Sequence, residues 1–223
     1  MPQRLNKYLA LSLGISRREA DDLISSGKVA IDGKIATLGR QVEPDSKVTV
    51  SGKSVQPAQF IYLALHKPAG YVSSRRRQGD TPTLYELLPA KYHQLKTVGR
   101  LDKDSSGLLL LTNDGDFTFR MTHPKFAKTK LYKVSLESPL LPLHQQMIAD
   151  FGVDLTDGFS RLGLTALDDG RKNWQVEMRE GRNRQIRRTF GALGYTVKTL
   201  HRTQFGNYAL GQLKSGEWQS ITV

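Results

Sequence analysis

The chain has no cysteine in its 223 residues. That one absence removes disulfides, thiolate metal sites and cysteine nucleophiles. It suits a reducing compartment, and a cytoplasmic location is the expectation. No apolar run approaches the length of a bilayer span, and the opening Met-Pro-Gln-Arg leads into a helical pattern instead of a signal peptide, so no membrane partner is expected. The five histidines, at 66, 93, 123, 144 and 201, lack the spacing of metal ligands. There is no Gly-x-x-x-x-Gly-Lys-Ser/Thr loop and no Gly-x-Gly-x-x-Gly after a strand, which leaves no local site for a nucleotide cofactor. Acidic residues are also scarce: 21 against 33 Lys plus Arg, a net charge of +12. A chain this basic is expected to meet a polyanion, most often a nucleic acid.

What is present falls into two parts. In the first, Leu5, Tyr8, Leu9 and Leu13 repeat at helical spacing up to Gly14. Ser16-Arg17-Arg18-Glu19 has the form of a capping box, opening a helix that buries Ala20, Leu23 and Ile24. Arg17 and Arg18 then lie in its first turn, where the helix dipole opposes cations, a placement that suits an anion partner. Lys28 to Ile31 alternates as a strand into the hairpin signal Asp32-Gly33, and Val48 and Val50 supply another strand. Residues 52–59 have no periodicity and contain Gly, Ser and Pro, so the expected division is a small domain at 1–52, a linker at 53–59 and a larger domain at 60–223.

The larger part is organised around residues 99–112, Gly-Arg-Leu-Asp-Lys-Asp-Ser-Ser-Gly-Leu-Leu-Leu-Leu-Thr. The polar turn ends in four consecutive leucines, the pattern of a strand covered on both faces. Asp102 and Asp104 thus sit on a turn feeding a buried strand, a rigid place for a nucleophile or general base; solvated loop aspartates are the plainer alternative. Ile61 to Leu65 reads as a strand and residues 66–70 as a turn. Residues 73–80 form a basic loop in which Arg75 and Arg76 either are solvated or grip phosphates. Tyr132 shares the parity of Val134 and Leu136 on an expected strand, which puts it on the apolar face. On the helix at 184–193, Ile186, Phe190 and Leu193 share a stripe, Arg184 and Arg188 point away, and Arg187 borders the core, where it needs an anionic partner. A last pair of strands is expected at 196–200 and 219–223.

Two resemblances follow from these motifs. Residues 2–51, through Arg4-Leu5-Asn6-Lys7-Tyr8-Leu9, Ser16-Arg17-Arg18-Glu19-Ala20 and Gly27 to Lys34, resemble the ribosomal-protein-S-four-type RNA-binding domain. Residues 99–115, with His66-Lys67-Pro68-Ala69-Gly70, Lys130-Leu131-Tyr132 and Glu180 to Arg188 in the same order, are similar to ribosomal RNA pseudouridine synthases of the RsuA/RluB branch. The first resemblance implies RNA contacts by Arg17, Arg18 and Lys28, and Arg4, available to solvent beside the first helix, is expected to join them. The second implies an α+β fold, with a mixed, largely antiparallel sheet flanked by helices in the catalytic domain. It also implies isomerisation of a uridine in ribosomal RNA, with no cofactor or metal. On that resemblance Asp102 is the essential nucleophile or base, Tyr132 packs on the flipped uracil, Arg187 pairs with Asp102, and Leu200 lines the pocket. Asp104 is expected to fix the turn. Arg100 is expected to support the active site, and Arg75, Arg76, Arg184 and Arg188 to contact RNA. The expected partner of a monomeric enzyme is ribosomal RNA or an assembling subunit. The rivals are a binding-only factor and a hydrolase using Asp102 and Asp104 as paired carboxylates. Two residues apart on one turn, those carboxylates are poorly placed to flank a glycosidic bond.

Overall fold

The computed structural model describes residues 2–223, which divide into two units with the boundary between Phe60 and Ile61. In the first, strand β1 (Gln3–Arg4) leads into helices α1 (Leu5–Leu13) and α2 (Arg17–Ser25). The Ser16–Glu19 capping box forms as the sequence indicates, with Ser16 Oγ accepting from the Glu19 amide and Glu19 accepting from the Ser16 amide. Strands β2 (Val29–Ile31), β3 (Lys34–Ile35), β4 (Gln41–Val42), β5 (Val48–Val50) and β6 (Lys53–Ser54) follow; β3-β2-β5-β6 is a four-stranded sheet and β1 pairs with β4. Leu5, Leu9, Ala20, Ile24, Val29 and Val48 make its core.

The linker expected at 53–59 starts too early. Ser51 and Gly52 both take positive φ, 49° and 78°, the conformation of a two-residue hairpin turn. They return the chain so that β6 pairs with β5, and the Tyr8 hydroxyl donates to Val55 O. Gly52, Ser54 and Pro57 read as linker composition, but Gly52 closes a hairpin and Ser54 belongs to β6.

The second unit begins with β7 (Tyr62–Lys67), β8 (Lys96–Val98), β9 (Ser106–Thr112) and helix α3 (Gly115–Thr122), then β10 (Lys130–Leu136) and the short helix α4 (Pro142–Gln146). Residues 152–170 hold β11 (Val153–Leu155), β12 (Gly158–Ser160) and β13 (Gly163–Ala166). The chain continues through β14 (Asn173–Met178), α5 (Gln185–Gly191), β15 (Val197–Phe205), β16 (Tyr208–Ala209) and β17 (Trp218–Ser220). Leu84–Leu87, ahead of β8, is a single 3₁₀ turn. β11 and β12 form a hairpin of their own. The remaining strands make a nine-stranded sheet, ordered β13-β14-β10-β15-β9-β7-β17, with β8 beside β9 and β16 beside β15. It is antiparallel except between β9 and β15.

The leucine run accounts for this layout. Leu109 and Leu111 point into one core with Leu63, Leu65, Trp174 and Phe190, while Leu108 and Leu110 point into another with Phe117, Met121 and Phe205. A central strand has two covered faces, so alternation vanishes from its sequence. At the parallel junction, Gly107 has φ +106°, and a Cβ there would sit 2.2 Å from Arg202 O. Only glycine lets the two backbones approach this closely.

Candidate active site

The turn between β8 and β9 is pinned from several sides. Lys67, at the end of β7, is fully buried, and its Nζ donates to Pro68 O (2.9 Å), Asp102 O (3.1 Å) and Ser105 O (2.7 Å). Ser73 Oγ donates to Leu101 O and accepts from the Leu101 amide, and the Gly70 amide donates to Lys103 O. The turn motif expected at 66–70 thus begins with a lysine that holds the aspartate turn through its carbonyls. Burial pushes the Lys67 ammonium down to about 8, against the opposing pull of Asp102 and Asp104.

The two aspartates divide the arginines differently from the expectation. Arg187, whose side chain is 12% exposed, pairs with Asp104 (Nε–Oδ2 3.2 Å), and donates to Asp104 O and Val197 O. It does not take Asp102. The cation nearest Asp102 is Arg184, 3.7 Å from Oδ2, which also binds both Asp104 oxygens at 3.1 and 3.2 Å. The reason is geometric. Arg184 has left-handed backbone, φ 45°, just before α5, and its guanidinium reaches the turn from there, while Arg187 comes in one helical turn later, behind it. Partial burial alone would raise the Asp104 carboxyl, but the Arg184 hydrogen bonds and the nearby Arg187 and Arg184 charges outweigh it and hold it below its ordinary range. Asp104 is thus the anchor of the turn, and Asp102, with a side chain 31% exposed, faces the opening.

That opening is a cavity of about 360 Å³, lined by Asp102, Arg100, Tyr132, Leu200, Ile186 and Lys130 among others. The volume is within the range of small-molecule sites. Tyr132 and Leu200 lie on neighbouring strands and are both 7% exposed, giving an apolar wall with an aromatic ring. Arg202, beyond the expected end of β15, is 2% exposed; its Nε donates to Leu108 O at 2.8 Å and its Nη1 lies 3.5 Å from the Tyr132 hydroxyl. Lys130 Nζ donates to Glu180 O, and burial, reinforced by the Arg202 charge, pushes it down to about 8. Among the described residues no group of three or more His, Cys, Asp or Glu is placed to hold a metal ion, and no helix is long and apolar enough to cross a membrane.

The other arginines are scattered in role. Arg188 is held by Asp157 at 2.9 and 2.7 Å, and Arg75 donates to Gln94 O and Leu95 O, so both fix loops. Arg76 is exposed in its basic loop. In the small unit Arg4, Arg18 and Lys28 are exposed, and Arg17 donates to Asn6. The sequence reading missed Lys67, Lys130 and Arg202. The parity of Leu200 would have found Arg202, two positions along the same strand face.

The sequence and the fold both match known proteins. The family model described as RNA pseudouridylate synthase matches residues 61–192, and that of the S4 domain matches residues 3–48. This chain belongs to the RNA pseudouridine synthase family. It is 33% identical to the ribosomal large subunit pseudouridine synthase B of Bacillus subtilis, over 99% of this chain and 91% of that protein. It is 34% identical to the dual-specificity RNA pseudouridine synthase RluF of Escherichia coli, over 98% of this chain and 75% of that one. A crystal structure of a pseudouridylate synthase superposes with a TM-score of 0.70 at 32% identity, covering 98% of this chain and 96% of its own. The α+β class with a mostly antiparallel sheet stands.

Proposed function

We propose that the protein converts a uridine of ribosomal RNA to pseudouridine, with Asp102 as the acting carboxylate and without a cofactor. The observation that carries this reading is the placement of Asp102 at the opening of a single-nucleotide-sized cavity walled by Tyr132 and Leu200. A target base inside folded RNA must be flipped out to react, and an aromatic wall stabilises it by stacking. The reaction breaks N1–C1′, turns the uracil in place and joins C5 to C1′, with the C5 proton released. No atom is gained or lost except by proton exchange and nothing is oxidised, so the chemistry asks for a positioned acid or base and nothing redox-active. Asp102 serves either by attacking the nucleoside or by taking a ribose proton. Arg184 and Arg187 hold the turn through Asp104, which keeps Asp102 aimed without burying it in an ion pair.

The small unit adds RNA affinity through Arg4, Arg17, Arg18 and Lys28, and Arg100 and Arg76 add to it on the larger unit. The substrate is ribosomal RNA, free or in an assembling subunit, and the enzyme works as a cytoplasmic monomer. The test is tritium release from unmodified ribosomal RNA labelled at uracil C5. Release by the wild type and none by Asp102→Asn is the expected result. Release by both would remove Asp102 from its role, and release by neither, with tight RNA binding by both, would favour a binding-only protein.

A further inference from the structure

Helix α3 buries Phe117 and Met121 but leaves Phe119 on its outer side, 47% exposed. His123 and Pro124 end the helix, and a 3₁₀ turn brings Phe126, 37% exposed, back against it. The Phe119 and Phe126 rings meet edge to face at 5.8 Å, and His123 lies 4.6 Å from the first and 6.4 Å from the second. Lys125 Nζ sits 5.0 and 4.8 Å from the two phenylalanine centroids. Thr122 and Pro124, which lie between these residues along the chain, belong to the wall of the cavity that Asp102 lines. A cluster kept only for packing would turn its rings inward. This one keeps three rings and an ammonium at the surface, on the rim of the site, in a chain of net charge +12.

We propose that Phe119, His123 and Phe126 form a stacking platform for an unpaired base of the RNA next to the nucleotide in the cavity, with Lys125 taking the adjoining phosphate. The inference rests on the RNA-modifying reading of the cavity. Flipping one nucleotide strips its neighbour of a stacking partner, and an aromatic surface beside the opening replaces it without demanding a particular base. Lys125, now over the ring faces, gives up those contacts for the phosphate.

Two measurements test this on the full chain. Ribosomal RNA transcripts of each subunit, sparsely substituted with 5-iodouridine, are irradiated with the protein, and cross-linked peptides are identified by mass spectrometry. RNA affinity is measured for the wild type and for the Phe119→Leu/Phe126→Leu double variant, which keeps apolar bulk and loses both ring faces; circular dichroism reports its fold. The expected results are cross-links in the peptide spanning 119–126 and a loss of affinity of about tenfold or more in the folded variant. Unchanged affinity in a folded variant, or cross-links confined to other peptides, overturns the platform. Neither readout needs turnover, so a protein that cross-links here but releases no tritium keeps the platform and loses the synthase reading. Tritium release with no affinity loss does the reverse.

Discussion

Lys67→Met separates the positioning of the aspartate turn from the stability of the fold. Methionine matches the length of the lysine stem but donates nothing to the three carbonyls. Asp102 O keeps the Ser105 amide, at 3.1 Å, so Ser105 O loses the most. An orphaned buried acceptor costs about 1–3 kcal/mol, and the other two bonds about 1 kcal/mol each. Against this, methionine removes a buried ammonium; a drop from 10.5 to about 8 is equivalent to about 3 kcal/mol of burial cost. The two nearly cancel, leaving a net loss of at most about 2 kcal/mol, or a Tm lower by less than ~8 °C for a domain of this size. Activity has no such compensation. A reacting group displaced by about 1 Å loses on the order of 100-fold in rate, and that is the expected fall in tritium release. The pH dependence supplies a second sign. Between about 8 and 10.5 the unfolded chain holds a proton that folded Lys67 gives up, so wild-type stability gains from this residue as pH rises through that window. Lys67→Met lacks that gain, which urea unfolding at pH 8 and 10 would show. Tritium release within threefold of wild type would refute the clamp, and a collapse of Tm by more than ~15 °C would refute the cancellation.

Gly107→Ala is expected to prevent folding of the larger unit, because its Cβ would fall 2.2 Å from Arg202 O in a strand that cannot move aside; native-like circular dichroism of the variant would contradict this. Lys130 lines the cavity in which the proposed reading places the RNA nucleotide, so its ammonium should add a cationic contact there, and it holds its charge only up to about pH 8; RNA affinity of the wild type should therefore fall by roughly 3- to 10-fold between pH 7 and 9, beyond the general trend of the chain, as that contact is lost. Lys130→Met should start lower and lack that extra fall, and an identical pH profile in the two proteins would remove Lys130 from the RNA contact.

What could be read in advance was local or periodic. The Ser16–Glu19 box spans three residues, and the leucine run of β9 announces two covered faces by the loss of alternation. Lys67 could not be read that way: Lys-Pro-Ala-Gly is turn punctuation, and the carbonyls that define its role lie 35 and 38 residues away. The division of Arg184 and Arg187 between two aspartates a single residue apart was also beyond reach, since it depends on a left-handed backbone at Arg184. Arg202 was hidden by charge, because a basic residue after Leu200 looks like the end of a strand although the burial pattern runs on to Phe205.

The parallel junction has a mechanical consequence. β9 and β15 meet in register at only two positions, Ser106 with His201 and Gly107 with Arg202. The sheet is thus two antiparallel plates joined by a short seam, with the aspartate turn carried on one and Tyr132 and Leu200 on the other. Flexing along the seam would change the gap between carboxylate and ring while leaving the ladder within each plate intact. On the proposed reading a nucleotide would sit between the two plates, and the Arg184 and Arg187 pairs with Asp104, with the core shared by Leu109, Leu111, Trp174 and Phe190, are what the flexing has to work against.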